Sequence, residues 1–229
     1  MKRFLVICMI GLLVFSGCSW FEPKKEKTAQ QLADEGIKAF NKKKYRLAIE
    51  TFTDLKNWYP FSKHAALADL KIADSHYKLK EYNEAVQAYA DFENLHPKNE
   101  AVPEVIYKTG LCYFDQIDTI DRDQVNTLKA LNTFRRLNQQ FPGNSFSEKS
   151  NEDIRACIES LAGHEFYVGK FYYKTKHYKA ALNRFMTVQS AYPNTHVYNH
   201  AVQYIAKCKE MMQAAPSENE TPLKTSPYE

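Results

Sequence analysis

A chain that repeats one short apolar phrase at fixed internal spacing has few folds open to it, and this chain does so four times. The copies are Ala48/Phe52/Leu55/Tyr59-Pro60, Ala85/Tyr89/Phe92/His96-Pro97, Ala130/Phe134/Leu137/Phe141-Pro142 and Ala181/Phe185/Val188/Tyr192-Pro193, starting 37, 45 and 51 residues apart. Positions i, i+4 and i+7 share one face of an α-helix, so each copy predicts an apolar stripe. The alanine admits a close neighbour, and the aromatic fills the space one turn on. Proline then ends the helix, because it lacks an N–H and biases the residue before it away from helix.

A partner helix is expected upstream of each copy. Twelve residues before the alanine stand Gly36, Ala73 and Gly169, small enough for close approach. In the third copy the small residue, Gly110, lies twenty residues back, which places an eight-residue insertion around Asp115 to Asp123. The intervening turns read Lys42-Lys43-Lys44-Tyr45, Leu79-Lys80-Glu81-Tyr82 and Thr175-Lys176-His177-Tyr178, and Thr127 stands in the tyrosine's place in the third. A plain helical bundle would not hold four copies in one register. The pattern predicts an all-α, helical-hairpin solenoid of the tetratricopeptide (TPR) type with about four and a half repeats. Their expected bounds are about 29–62, 66–99, 103–144 and 147–195, with a capping helix at 197–213. Such scaffolds hold other proteins.

The N-terminus carries a second signal. Met1-Lys2-Arg3 is positively charged, Phe4 to Phe15 is apolar, and Ser16-Gly17 precede Cys18. This reads as a secretory signal peptide over 1–17, short of the roughly 20 residues a bilayer span needs. Small residues before a cysteine resemble the bacterial lipobox, with Phe15 where leucine is usual. That resemblance implies acylation of Cys18 as the mature N-terminus, and Ser19, which is not aspartate, implies the outer membrane. An ordinary secreted protein cleaved nearby is the alternative. Residues 18–28 form the tether, with Trp20 placed for the membrane interface.

Removing 1–17 leaves 212 residues with 29 Lys and Arg against 27 Asp and Glu, a net charge of +2. A near-neutral chain argues against nucleic acid as a partner. Seven glycines against 29 tyrosines and phenylalanines suit helices packed on aromatics. Cys112, Cys157 and Cys208 fall on apolar helical positions and are expected to be buried thiols, although one disulfide among them is open. Residues 214–229, rich in proline and polar residues, read as a disordered tail.

No catalytic fingerprint is present, and no cofactor is implied. His196 and His200 are four apart but lack a third ligand at a recognisable spacing, so no metal site is expected. Glu81 and Glu84 read as a solvated pair. The first helices of TPR hairpins line the concave face, which assigns Ala33, Ile37 and Phe40, then Leu67, Leu70, Asp74 and Tyr77, then Glu104, Tyr107, Leu111 and Phe114 to a groove. Its apolar, aromatic character fits an extended or helical polypeptide with aromatic anchors.

Lipobox, tether and repeats together resemble the BamD (YfiO, ComL) family of lipoproteins of the β-barrel outer-membrane assembly machinery. The stretches carrying the resemblance are Ala48-Ile49, Tyr59-Pro60-Phe61 and Tyr107-Lys108-Thr109-Gly110-Leu111. Asp121-Arg122-Asp123 looks like the family's D-R-D element, with Gln124 where proline is common. The resemblance runs from Cys18 to about Met212. It implies docking on a POTRA domain of a BamA-like insertase, receipt of unfolded outer-membrane protein substrates by the N-terminal repeats, and membrane attachment through lipid. Arg184 aligns with the family arginine that pairs with an acidic POTRA residue, a role suited to a planar guanidinium. Family members often carry five repeats; here the last helix lacks a partner. A TPR pilotin for a secretin or pilus system shares the anchor and repeats, and is the alternative.

Overall fold

The computed structural model describes residues 26–214, and every regular element among them is an α-helix. In chain order these are α1 (Ala29–Asn41), α2 (Tyr45–Trp58), α3 (Ala65–Lys78), α4 (Tyr82–Leu95), α5 (Val102–Phe114), α6 (Val125–Gln140), α7 (Ser145–Lys174), α8 (Tyr178–Ala191) and α9 (Tyr198–Ala214). The expected signal sequence over 1–17, Cys18, Trp20 and the expected tail beyond Ala214 lie outside the described residues. Each helix packs on its sequence neighbours, with further contacts of α1 on α3, α5 on α7 and α7 on α9. That adjacency makes a solenoid, with four hairpins and a final single helix.

The repeated phrase is the core. Its first three positions in all four copies, twelve side chains on α2, α4, α6 and α8, are at most 1% exposed. Full burial of a residue such as Phe or Leu is worth about 1.5–3 kcal/mol, so these rings and aliphatics dominate the stability of each hairpin. The upstream small residue is the aromatic's seat. A Cβ built on Gly36 would lie 2.7 Å from the Phe52 ring, one on Gly110 2.3 Å from Phe134, and one on Gly169 2.7 Å from Phe185. The buried hydrophobic residues form four patches spaced along the chain.

The phrase's fourth position closes each helix in one shape. Tyr59, His96, Phe141 and Tyr192 have φ of −135°, −127°, −132° and −133°, and each donates its N–H to the carbonyl four residues back. Proline next in the chain favours this departure from helix. The turns inside hairpins one, two and four also share a shape. Lys43, Lys80 and Lys176 take φ of 58°, 60° and 63°. The next N–H then reaches back to Ala39, His76 and Tyr172, satisfying carbonyls left open at a helix C-terminus.

Two irregularities account for the unequal spacing of the copies. Residues 115–124 replace the tight turn of hairpin three. The wide gap before the fourth copy is filled by α7, a continuous helix of 30 residues with Asn144 as its side-chain cap. Its N-terminal half packs on α6 and its C-terminal half on α8. The insertion lies against its middle, where Ile120 sits over Gly163, 3.2 Å from where a Cβ would be. The inserted loop and the long helix are thus one structural adjustment.

Candidate groove and docking residues

The residues assigned to the groove divide in two. Ile37, Phe40, Leu70, Tyr77, Tyr107, Leu111 and Phe114 are all half-buried, each with one flank on a core patch. Phe40 meets Tyr45 edge-on at 5.4 Å and carries the Lys71 ammonium 4.7 Å from its centroid. The Tyr77 hydroxyl donates to Asp115 at 2.7 Å. Tyr107 lies 5.8 Å from both Phe134 and Phe146, and burial with nearby Asp153 pushes its hydroxyl pKa up to about 12. These rings are fixed by their neighbours, so the surface they present is preorganised.

Ala33 and Asp74 do not face an open groove, contrary to the helix-position reading. Ala33 is buried under its own hairpin. Asp74, 5% exposed, is the hub of an internal network. It accepts from Tyr89 Oη at 2.9 Å, Lys108 Nζ at 2.7 Å and Lys71 Nζ at 2.9 Å, which joins α3, α4 and α5. Burial raises its carboxyl pKa, but the two ammonium groups outweigh that and hold it below the usual carboxylate range. Lys108 also pairs with Glu104 at 2.7 Å. Glu81 is corrected too. It is half-buried, accepting from His76 Nδ1 at 2.9 Å and pairing with Arg46 of the preceding hairpin.

The Asp121-Arg122-Asp123 loop is exposed, and its shape is set from beneath by Gln124. This buried amide donates from Nε2 to the Thr119 and Arg122 carbonyls at 3.2 and 3.1 Å. Its Oε1 accepts from Thr127 at 2.9 Å and Ser160 of α7 at 3.1 Å. All four of its hydrogen-bonding positions are filled. Asp123 Oδ1 accepts the Val125 N–H at 2.7 Å, and His164 Nδ1 bonds the Ile120 carbonyl at 2.7 Å. The glutamine that stands in place of proline, and the threonine in place of tyrosine, therefore act together. Gln124→Ala is expected to cost about 1–3 kcal/mol, since it leaves buried partners unsatisfied. Denaturant unfolding and faster amide exchange across 118–124 would register it.

Arg184 on α8 donates from Nη1 to both carboxylate oxygens of Glu165 on α7 at 3.0 Å. The arginine side chain is 42% exposed and the glutamate 18%. A docking carboxylate would approach a guanidinium already oriented by an internal partner. In Tyr59-Pro60-Phe61, the Tyr59 hydroxyl donates to the Lys27 carbonyl at 2.8 Å, whereas Phe61 is fully exposed. His196 pairs with Glu159 at 2.5 Å, and His200 lies 6.2 Å from the Phe166 ring. Among the described residues, no group of three or more His, Cys, Asp or Glu could hold a metal ion. Cys112, Cys157 and Cys208 are buried and free, and burial pushes the first two thiols up to about 12. No described helix is long and apolar enough to cross a membrane.

Sequence reasoning missed Asp74's burial, the Glu165 partner and the work of Gln124. It also passed over Trp58, a half-exposed indole, although comparing the copies column by column would have marked it: Leu95, Gln140 and Ala191 occupy that place elsewhere.

The chain is similar to known proteins along most of its length. The family model for YfiO, described as an outer membrane lipoprotein, matches residues 25–223. The outer membrane protein assembly factor BamD of Rickettsia prowazekii is 31% identical over 211 residues, covering 91% of this chain and 82% of the relative. That of Vibrio cholerae is 24% identical, covering 91% and 96%. A thermophilic TPR protein of Thermus thermophilus aligns with 81% of this chain and all of its own length, at 12% identity and a TM-score of 0.42. Because the family model covers residues 25–223 and the Rickettsia relative is 31% identical over nine-tenths of the chain, the chain belongs to the YfiO (BamD) family of outer membrane lipoproteins.

Proposed function

We propose that this chain is a non-enzymatic scaffold of the β-barrel assembly machinery, attached by an acylated Cys18 to the periplasmic face of the outer membrane. What carries this reading is that relatives named as outer membrane protein assembly factors align with nine-tenths of the chain. The preorganised aromatic surface of α1, α3 and α5 suits unfolded barrel precursors, whose alternating apolar residues offer side chains to such anchors. The C-terminal hairpin presents Arg184 for an acidic residue on a POTRA domain of a BamA-like insertase. Glu165 holds the guanidinium in place and leaves its other nitrogens for a second acceptor, which reduces the ordering cost of docking.

A mild-detergent pull-down of the tagged lipoprotein from its own envelope, wild type against Arg184→Glu, tests the reading. Losing the partly exposed Arg184–Glu165 pair costs at most about 1 kcal/mol, and a thermal melt of the variant checks that it stays folded against the added carboxylate repulsion. A POTRA-bearing insertase is expected with wild type and lost with the variant, which also sets two carboxylates side by side. A secretin or pilus subunit in its place would replace the assembly reading with a pilotin.

A further inference from the structure

The C-terminal edge of α2 carries aromatic surface that the repeat does not require. Across the four copies, the residue before the closing aromatic is Trp58, Leu95, Gln140 and Ala191, and the residue after proline is Phe61, Lys98, Gly143 and Asn194. In copies three and four the phrase therefore folds with small or polar residues at both places, and copy two exposes Leu95 but carries Lys98 at the other. In hairpin one it instead exposes 56% of Trp58 and all of Phe61. Beside them Glu26, Trp58 and Tyr59 line a cleft of about 350 Å³.

The chain itself fixes where this edge sits. The Tyr59 hydroxyl holds the Lys27 carbonyl, so the tether joins the solenoid beside Trp58. Eight residues, Ser19 to Glu26, separate Lys27 from Cys18. Fully extended, that stretch spans at most about 30 Å. With acyl chains on Cys18, the aromatic edge cannot leave the vicinity of the bilayer and meets it at high effective concentration. Glu22 and Glu26 offset Lys24 and Lys25 in the tether sequence, so the contact rests on exposed aromatic surface and not on charge.

We propose that Trp58 and Phe61 insert into the headgroup region of the anchoring leaflet, giving the solenoid a second membrane contact that sets its orientation. Indole suits the boundary because its apolar body and N–H donor match the two sides of it. The inference rests on the lipid anchor proposed above.

Trp20 and Trp58 are the chain's two tryptophans, so Trp20→Phe leaves Trp58 as sole reporter. The full-length lipoprotein with that change would be reconstituted into phosphatidylethanolamine–phosphatidylglycerol vesicles, with and without brominated acyl chains, and the acylation of Cys18 read by mass. The expected result is acylated protein whose Trp58 emission is lost in brominated vesicles, with the loss reduced by Phe61→Ser. In the non-acylated Cys18→Ser chain, vesicle partitioning should fall roughly tenfold on Phe61→Ser. Acylated protein with unquenched Trp58 overturns the proposal and leaves the anchor standing. A chain without acyl groups overturns both. Emission that shifts only on adding an unfolded barrel precursor assigns the edge to polypeptide and overturns the lipid contact.

Discussion

Asp74→Ala is expected to destabilise the protein by about 3 kcal/mol, because it leaves the ammonium groups of Lys108 and Lys71 without the carboxylate that compensates their partial burial. Those side chains remain 22% and 26% exposed and Lys108 keeps Glu104, which places the loss at the lower end of the range for broken buried pairs. The same change strands the hydroxyl of Tyr89, which is fully buried. Asp74→Asn keeps the shape and an acceptor for Tyr89, yet should recover only a minor part, since the missing quantity is charge. The effect has a pH signature. The carboxyl pKa is lower in the folded protein than in the unfolded chain. Its stabilisation is therefore fully present above the unfolded value of about 3.9 and disappears as pH falls through the folded one. The gap between wild type and variant, measured by urea unfolding, should be constant near neutrality and close in acid. A gap that stays constant into acid would show that the loss is one of packing.

Phe134→Ala should cost about 3–5 kcal/mol, the penalty for emptying a fully buried ring site. More telling is its coupling to Gly110. In the wild-type background, an alanine Cβ at 110 would meet the Phe134 ring at 2.3 Å. The ring is fully buried and flanked by Tyr107 at 5.8 Å and Phe114 at 6.3 Å, one turn to either side of Gly110 on α5, so it has little room to shift. Overpacking of this kind costs about 1–3 kcal/mol. With Phe134 already replaced by alanine, the obstruction is gone. Alanine at 110 should then stabilise α5 by up to about 1 kcal/mol through its better helix propensity. A double-mutant cycle measured by denaturant unfolding should thus show Gly110→Ala changing sign between the two backgrounds. Equal effects in both would mean that the glycine is not the ring's seat.

Much of the fold was legible because the phrase couples local and tertiary information in the same residues. Ala130, Phe134 and Leu137 announce a helix by spacing and a close hairpin partner by size, and Gly110 answers from upstream. The closing aromatic and proline mark each helix end. The 30-residue α7 was less visible, since a long polar stretch with buried Cys157, Leu161 and Ala162 has no phrase of its own. Asp74 was misplaced in the groove for a geometric reason. Positions on one helix face were assigned to solvent, but Asp74 is turned toward α4 and α5, which the sequence of α3 does not reveal. Glu165 and Arg184 lie 19 residues apart on different helices, and only the stagger of α7 against α8 brings them together. Phe61 was legible as part of a motif, whereas its complete exposure belongs to the end of a hairpin in three dimensions.

The central claim, that this scaffold serves assembly of barrels in the outer membrane, is tested most directly by depleting the protein in its own cells and following folded barrel proteins by their heat-modifiable mobility. The account predicts that folded barrels fall and unfolded precursors accumulate. Wild type should restore them, and Arg184→Glu should not. Undiminished barrels after full depletion, with a secretin or pilus lost instead, would contradict it.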